Sequence, residues 1–240
     1  MGKYAVLNYT GSAGKTVIAA HLLQPRMPEA TFYAVESINQ SAKDLGVKDV
    51  IQLRGNNVGE LLEKMVLDDD AIIDIGASNI EPFFEAASRF AGAIDDFDMF
   101  IVPVTPEQKA WQESLKTVEA LAAVGVPAEK IILLPNRILK DPQEEIPAVY
   151  KYVKNTKKAQ ISTRAFIFES EVFQFLAHRK ISFAELLNDD IDYRALARQE
   201  EDEEKAKEYA RMYRWTKQAI PVNNNLADCF NVLSEYFVKA

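Results

Sequence analysis

Short apolar runs alternate with longer amphipathic segments along most of the 240-residue chain. The short runs are rich in β-branched and aromatic residues, as buried parallel strands are. They lie at residues 4–7, 31–35, 71–75, 99–104, 130–134 and 165–168. Between them, residues 58–66, 82–90 and 108–124 place apolar positions three and four apart, which is typical of amphipathic helices. The pattern predicts βαβ units and therefore an α/β fold with a doubly wound, mostly parallel sheet.

The C-terminal part of the chain follows a different pattern. After residue 168 the apolar positions keep a helical spacing, and residues 193–217 carry mixed charges that suit one long solvated helix. No internal repeat or low-complexity linker divides the chain, and its ten prolines and nine glycines are scattered as turn residues. We expect a single domain over residues 1–240, with a helical C-terminal region at about residues 170–240.

Composition and charge exclude several classes of protein. The chain has 28 Lys plus Arg against 36 Asp plus Glu, a formal net charge of -8, and 48% hydrophobic residues. These values are typical of a globular protein and exclude intrinsic disorder and collagen-like repeats. The acidic balance disfavours a dedicated high-affinity nucleic-acid binder, although it leaves room for a local basic patch.

Cysteine and histidine usage excludes two kinds of structural site. Cys229 is the only cysteine, and the two histidines, His21 and His178, lie far apart in the sequence. Neither a disulfide framework nor a Cys/His zinc site can therefore form within the chain. No apolar run approaches the roughly 18 residues that span a bilayer, and the first residues lack the features of a signal peptide. We expect a cytoplasmic protein with no integral membrane segment.

The most informative stretch is NYTGSAGKT, which runs from Asn8 to Thr16 between the first predicted strand and a helical run at residues 17–23. Its small residues let successive backbone N–H groups converge on phosphate oxygens, and the start of the helix adds its positive dipole end. Lys15 can bridge the β and γ phosphates, and the Thr16 hydroxyl suits Mg²⁺. The strict phosphate-loop pattern fails only at its first glycine, where Tyr9 stands.

This stretch predicts a nucleotide-binding loop. Its binding residues are Gly11, Ser12, Ala13, Gly14, Lys15, Thr16 and Val17. The alternative is a glycine-rich turn between a strand and a helix that binds no ligand.

Polar residues stand at the carboxyl ends of the predicted strands, the edge at which open α/β sheets bind ligands. They are Asn8, Glu36, Asp74, Thr105 and Asn136. Asp74 follows an apolar run and precedes Ile75 and Gly76, as the acidic residue of a Walker B strand does. We therefore predict that Asp74 and Thr16 are the Mg²⁺ residues, with Asp74 acting through water. The alternative is an aspartate that caps the next loop, and the upstream Asp68–Asp70 triplet is predicted to be a solvated turn.

Asn136 and Arg137 follow another predicted strand and are placed to contact a purine edge. Leu139 stands where guanine-specific loops of the Asn-Lys-x-Asp type carry an aspartate, so adenine is favoured over guanine. The alternative is an asparagine that serves only the turn between a strand and a loop.

The phosphate-loop residues also carry a resemblance to a known family. Asn8, Gly11, Gly14, Lys15 and Thr16 match the deviant Walker loop NQKGGVGKT of the ParA/MinD partition ATPases. Downstream, VESINQ resembles the family's Val-Asp-x-Asp-Pro-Gln segment, and residues 99–106 resemble its Ile-Val-Pro-x-x-Pro strand and loop. The segments HLLQPRM, LRGNNVGEL, DIGASN and DFDMFIVPV resemble, more narrowly, plasmid stability members of the family. The resemblance covers most of the first 140 residues and is thin beyond residue 168.

The resemblance implies a P-loop NTPase fold, ATP and Mg²⁺ as cofactors, and a role in plasmid stability, partition or conjugative transfer. It also implies a nucleotide-dependent homodimer and a plasmid-encoded DNA-binding adaptor as partners.

Two positions depart from the family pattern. Thr10 replaces the signature lysine that reaches the partner subunit's phosphates, and Ile38 falls where an aspartate positions the attacking water. Glu36 is then the only nearby carboxylate for that role, which makes Lys15, Asp74 and Glu36 the catalytic candidates. A cation that stabilises phosphoryl transfer contributes on the order of 10³ to 10⁵ in rate. We therefore expect ATP binding with weak intrinsic hydrolysis.

Surfaces for other partners can be predicted only coarsely. A basic cluster predicts a weak non-specific DNA contact, unless it is a solvated helix end and loop; it comprises Lys151, Lys154, Lys157, Lys158 and Arg164. Apolar residues at 226, 230, 233 and 237 have helical spacing, and the scarcity of basic residues on the polar face, where Asp228 and Glu235 stand, favours packing over membrane docking. The phenylalanines at 166, 168, 173, 175 and 183 are assigned to the core or a dimer surface, not to a cofactor pocket.

Three functions remain open from the sequence. The first is a ParA-like nucleotide switch that recruits DNA or an adaptor. The second is an adaptor that binds nucleotide and never hydrolyses it. The third is a small-molecule kinase or ligase, for which the sequence offers no clear second polar pocket beside the phosphates.

Overall fold

A central parallel sheet organises the chain, which we describe from a computed structural model covering residues 2–35, 42–54, 57–90 and 92–237. The strands are β1 (Lys3–Leu7), β2 (Thr31–Val35), β3 (Val50–Leu53), β4 (Ala71–Ile75), β5 (Met99–Val104), β6 (Ile131–Ile138), β7 (Gln160–Ile161) and β8 (Ile167–Phe168). Their order is β3-β2-β4-β1-β5-β6-β7, with β8 paired to β6. Every strand pair within the described ranges is parallel. The predicted α/β fold with a mostly parallel sheet is confirmed.

The predicted strands form at or close to their expected positions, with differences at the edges of the sheet. β6 runs on to Ile138, beyond the predicted end at residue 134. β3 and β7 were not predicted, because β3 has exposed residues at Ile51 and Gln52 and β7 has only two residues. Short strands of this kind lack the continuous apolar run that marks a buried strand.

Ten α-helices are assigned in the described ranges. They are α1 (Lys15–Val17), α2 (Val58–Met65), α3 (Ile80–Ala87), α4 (Gln108–Ala123), α5 (Pro142–Glu145), α6 (Pro147–Thr156), α7 (Val172–Arg179), α8 (Phe183–Leu187), α9 (Tyr193–Gln199) and α10 (Glu203–Phe237). α1 continues into a π-helix, Ile18–Leu23, and then a 3-10 turn, Gln24–Arg26. The helical run predicted after the phosphate loop is therefore helical, but most of it has π geometry.

The charged segment at residues 193–217 is not one helix, as predicted, but belongs to two. The Asp192 side chain caps α9 by accepting a hydrogen bond from the Ala195 N–H, and Glu200 then adopts an extended backbone. Asp202 accepts a hydrogen bond from the Lys205 N–H at the start of α10. Aspartate side chains at these positions favour new helix starts over a continuous helix, which explains the break.

The two faces of the sheet are covered by different helices, since successive strand residues point to opposite sides. On β1, Tyr4 and Val6 belong to a core with residues of α1, α7, α8 and α10, while Ala5 and Leu7 belong to a core with residues of α2, α3, α4 and α6. We call the first the cleft face and the second the plain face.

The C-terminal helix α10 packs on the cleft face. Leu226 and Leu233 are buried there, and the Phe237 ring stacks on Tyr4 with a centroid distance of 4.2 Å. This confirms the predicted packing of the helix against the domain. None of the helices in the described residues is long and apolar enough to cross a bilayer.

The predicted solvated turn at residues 68–70 also holds the start of β2. The Asp68 carboxylate accepts hydrogen bonds from the hydroxyls of Thr31, at 2.8 Å, and Tyr33, at 2.5 Å. Asp68 is therefore a structural residue and not only a solvated one.

Candidate functional site

A cleft of about 840 Å³ opens at the carboxyl edge of the sheet, where the loops after β1 and β4 meet. These two strands are neighbours, with Leu7 opposite Ile75 in the parallel register. The loop after β1 contributes Gly11, Ser12, Gly14, Lys15, Thr16 and Val17, and the loop after β4 contributes residues 76–79. Arg137 after β6, Leu45, and one face of α7 complete the lining.

The loop after β1 has a conformation that only glycine allows at one position. Gly14 has a φ of +86°, and a Cβ atom there would lie 2.6 Å from the Asn136 amide nitrogen. A side chain is therefore excluded both by the left-handed backbone and by this close contact. At Gly11, by contrast, a Cβ would meet no atom within 4 Å. The backbone of this turn is thus open to an approaching ligand.

Asn8 fixes the loop from below. Its buried amide nitrogen donates to the Pro103 carbonyl, at 2.6 Å, and to the Ser114 hydroxyl, at 2.7 Å. Its side-chain oxygen accepts from the Thr10 N–H at 2.9 Å. Asn8 ties the loop to β5 and α4, and it serves as a positioning residue.

Lys15 lines the cleft and Asp74 lies close to Lys15 and Thr16; both side chains are buried, with exposures of 5% and 1%. The Lys15 ammonium group donates to the Thr10 carbonyl at 2.8 Å, which folds its side chain back along the loop. Burial raises the pKa of Asp74 to about 6, and the Thr16 hydroxyl and the Lys15 charge oppose that shift. The Thr16 hydroxyl is close enough to favour the ionised form, yet neither Asp74 oxygen has a partner with hydrogen-bond geometry in the described residues.

This arrangement fits a hard divalent cation bound together with phosphate. A buried carboxylate without a hydrogen-bond partner is costly, and a nearby cation would remove that cost. The donors on hand, Asp74 and Thr16, are oxygen atoms, which Mg²⁺ prefers. The described residues contain no group of three or more His, Cys, Asp or Glu that could hold a metal. The remaining ligands would therefore come from phosphate and water, as is common for Mg²⁺.

Asn136 and Arg137 occupy different environments. The Asn136 amide nitrogen donates to the Ala13 carbonyl at 2.8 Å, and its oxygen accepts from the Arg137 N–H at 3.0 Å. Arg137 has a φ of 58°, which is uncommon for a residue with a side chain, and it is exposed and lines the cleft. The contact of Asn136 with a purine edge stays a prediction, and its present contacts support the loop.

The structure brings most of the predicted site residues together. Ala13 is buried and contributes its carbonyl to Asn136, so it does not line the cleft. Asp74 is buried close to Thr16 and Lys15 and does not itself line the cleft, whereas Thr16 and Arg137 do. Glu36 and Ile38 lie outside the described residues, so the catalytic role of Glu36 stays a prediction.

The sequence reasoning missed the wall that α7 contributes. Phe173, Gln174, Ala177 and His178 line the cleft, although Phe173 was assigned to the core or a dimer surface and not to a pocket. Phe173 in fact does both, since it also packs against the core of the cleft face. The spacing of these four residues puts them on one helical face, but no sequence signal indicates what that face meets.

The basic cluster is partly neutralised by acidic neighbours. Lys158 pairs with Glu119, and Arg164 pairs with Glu235 at 2.7 Å. The side chains of Lys151, Lys154 and Lys157 are exposed. A DNA contact at this cluster stays a prediction, carried by three of its five cations.

Known proteins match most of the chain in structure, at low sequence identity. No protein-family model and no curated protein matches it. The MinD cell division protein of Aquifex aeolicus matches with a TM-score of 0.57 and 14% identity over 98% of this chain and 97% of that one. Apo McdA of Cyanothece matches with a TM-score of 0.53 and 14% identity over 95% and 99%.

A plasmid partition protein of Borrelia burgdorferi B31 bound to AMPPNP also matches, with a TM-score of 0.51 and 13% identity over 89% of this chain and 97% of that chain. At such identities the likeness establishes the fold alone. The chain therefore has the MinD/ParA type of P-loop NTPase fold that the sequence predicts, with a helical C-terminal region.

Proposed function

We propose that the chain is a ParA/MinD-like nucleotide switch that binds ATP and Mg²⁺ in the cleft. The observation that carries the proposal is the buried Asp74 carboxylate, which lacks a hydrogen-bond partner in the described residues and lies beside Thr16 and Lys15. A protein that only needed a tight turn here would gain nothing from this arrangement, because a buried carboxylate whose oxygens lack a partner with hydrogen-bond geometry is destabilising. A bound Mg²⁺–nucleotide complex would compensate for it.

The loop supplies the means to hold phosphate. The backbone at Gly11 and Ser12 is exposed to the cleft, and the Lys15 ammonium group lies 2.8 Å from the Thr10 carbonyl in the same loop. Backbone N–H groups and a buried lysine are the usual partners of the β and γ phosphates. Thr16 and Asp74 would hold Mg²⁺, which neutralises the phosphate charge when it is bound.

We expect intrinsic hydrolysis to be weak. Thr10 carries no charge, and its hydroxyl accepts a hydrogen bond from the Ser12 N–H, so it serves the loop. A non-hydrolysing nucleotide-dependent adaptor is the second candidate, and the uncharged Thr10 favours it as well. Phosphate release by the purified protein separates the two: slow release that a Thr10→Lys substitution accelerates supports the switch, whereas no release by either protein supports the adaptor.

The biological setting comes from the sequence resemblance, which is narrowest to the plasmid stability protein StbB. We infer a cytoplasmic single-domain protein that acts in plasmid stability, partition or conjugative transfer. Its proposed partners are a second copy of the chain, in a nucleotide-dependent homodimer, and a plasmid-encoded DNA-binding adaptor. A weak DNA contact through Lys151, Lys154 and Lys157 would lose affinity steeply with added salt. Sizing the protein with ATP, with ADP and without nucleotide tests the dimer.

Titration of labelled ATP and ADP, with and without Mg²⁺, tests the binding site. Lys15→Ala removes a buried cation from the proposed phosphate-binding loop and should weaken ATP binding on the order of 100-fold. Asp74→Asn should abolish the gain in affinity that Mg²⁺ gives. Lys154→Ala, which changes an exposed lysine of α6 outside the cleft lining, is the matched control. Equal affinities of wild type and Lys15→Ala would refute the assignment of the loop.

A further inference from the structure

The cleft has two chemically different halves. One half is the loop after β1 and the loop after β4, with exposed backbone, Lys15 and the Thr16 hydroxyl. The other half is lined by the apolar side chains of Leu45, Phe173 and Ala177, and α7 is in contact with the 3-10 turn Ala42–Leu45. Two polar side chains, Gln174 and His178, stand within this apolar half.

A triphosphate tail uses only the first half. Phosphate groups present charged oxygens on every side, so an apolar wall offers them no favourable contact. The whole cleft, at about 840 Å³, falls within the roughly 300–1,000 Å³ of sites that enclose an organic ligand. Apolar walls with a few placed polar groups are typical of such sites. The second half therefore suits a moiety with apolar faces and hydrogen-bonding edges that is attached to the phosphates.

The face of α7 is held in place before any ligand binds. Val172 and Leu176 are buried in the core of the cleft face, which leaves Gln174 and His178, one turn apart, exposed toward the cleft. The Phe173 ring lies edge-on to Phe183, with centroids 5.8 Å apart, and 6.0 Å from the His21 ring. Aromatic neighbours of this kind restrict the ring. The wall is thus preorganised, which lowers the entropic cost of binding.

We propose that the side of α7 that lines the cleft binds the nucleoside part of the bound nucleotide. Phe173 and Ala177 contact the sugar and base, and Gln174 and His178 hydrogen-bond to their polar edges. Glutamine offers both donors and an acceptor, and a neutral histidine offers one of each, which matches ribose hydroxyls and base edges. The inference rests on the proposed nucleotide-binding function, and it assigns the nucleoside contact to the same chain that holds the phosphates.

The test compares two probes, Mg²⁺–ATP and Mg²⁺–tripolyphosphate, which has phosphates but no nucleoside. The Gln174→Ala/His178→Ala double variant should bind Mg²⁺–ATP about tenfold more weakly, as expected for the loss of two ordinary hydrogen bonds. Its affinity for Mg²⁺–tripolyphosphate should not change. Gln218→Ala, at an exposed glutamine of α10 outside the cleft lining, is the control and should bind both probes as wild type does.

The outcomes separate this inference from the proposed function. Lys15→Ala should weaken both probes; if it weakens neither, the proposed function fails. If Lys15→Ala weakens both probes while the α7 double variant binds ATP normally, the nucleoside assignment alone is wrong. Equal losses of affinity for Mg²⁺–ATP and Mg²⁺–tripolyphosphate in the double variant would also overturn the nucleoside assignment, because α7 would then act on the phosphates. Because Gln174 and His178 are exposed, their substitution should not disturb folding. Phe173→Leu provides a second variant, which should weaken the binding of Mg²⁺–ATP but not of Mg²⁺–tripolyphosphate.

Discussion

The two faces of the sheet differ in what their helices do. The plain face is covered by α2, α3, α4 and α6, and its core is built from apolar side chains. The cleft face carries a π-helix, the α7 wall, and all three of the buried Lys, His and Asp side chains in the described residues, which are Lys15, His21 and Asp74. Helices that only bury a sheet can be regular. On the cleft face, the buried Lys15 and Asp74 side chains and the π-helix geometry each reduce stability.

The strongest test of this difference compares two phenylalanines. Phe83 is fully buried on the plain face, with ring centroids 5.7 Å from Phe84 and 5.9 Å from Phe97. Phe83→Ala should lower the free energy of unfolding by about 3–5 kcal/mol, because it leaves a cavity, and it should not change the affinity of the folded protein for ATP. Phe173→Ala, at a partly buried ring that lines the cleft, should cost less stability and weaken ATP binding.

Urea unfolding and nucleotide titration measure the two effects. Binding is compared under conditions where circular dichroism shows both variants folded. If Phe83→Ala weakened ATP binding as much as Phe173→Ala did, the separation of a structural face from a functional face would be wrong.

His21 should make the stability of the protein fall as the pH falls. Burial lowers the pKa of His21 from 6.5 to about 4 in the folded state, so the unfolded chain takes up a proton first as the pH falls. The contribution of His21 to the free energy of unfolding is therefore fully present above pH 6.5, and about 3 kcal/mol of it is lost between pH 6.5 and about 4. His21→Leu should remove this loss. Urea unfolding of both proteins across that range measures it, and parallel curves would contradict the prediction.

Asp74 gives the cleft face a pH dependence of opposite sign. Burial raises its pKa from 3.8 to about 6, so the folded protein holds a proton that the unfolded chain releases. Its contribution is complete below pH 3.8 and is lost as the pH rises to about 6, by about 3 kcal/mol. In the wild type this loss and that of His21 oppose each other between pH 4 and 6. Asp74→Asn should therefore unmask the acid sensitivity that His21 causes.

Saturating Mg²⁺–ATP provides the control for Asp74. If Asp74 acts at a metal site, the bound complex should stabilise its ionised form and abolish the loss of stability between pH 3.8 and 6. An unchanged pH profile in the presence of Mg²⁺–ATP would show that Asp74 does not contact the ligand site.

The sequence predicted the plain face better than the cleft face, for physical reasons. Each of α2, α3 and α4 has a single buried stripe, so the helical period identifies it and its buried side. All six residues of the π-helix Ile18–Leu23 are buried, and a segment buried all round has no stripe from which its hydrogen-bond pattern could be read. Phe173 packs in the core and lines the cleft, and an apolar side chain has the same sequence signal in both roles.

The candidate site was predictable where local geometry demands particular residues. Gly14 needs a left-handed backbone, and Lys15 and Thr16 follow it at fixed spacing, so the loop can be recognised from the sequence alone. The α7 wall was not predictable, because it comes from a segment about 160 residues downstream whose approach to the loop is set by tertiary packing.

The smallest expected effect concerns how α10 is held on the cleft face. Arg164 and Glu235 form an ion pair at 2.7 Å, but their side chains are 64% and 51% exposed. A double-mutant cycle with Arg164→Ala and Glu235→Ala should give a coupling energy below about 1 kcal/mol that shrinks in 1 M salt. Leu233→Ala, at a fully buried position of the same helix, should cost about 2–5 kcal/mol. A coupling energy larger than the stability lost in Leu233→Ala would mean that the ion pair, and not apolar burial, holds α10 on the sheet. The cleft face would then be assembled differently from the plain face, even far from the charged groups of the site.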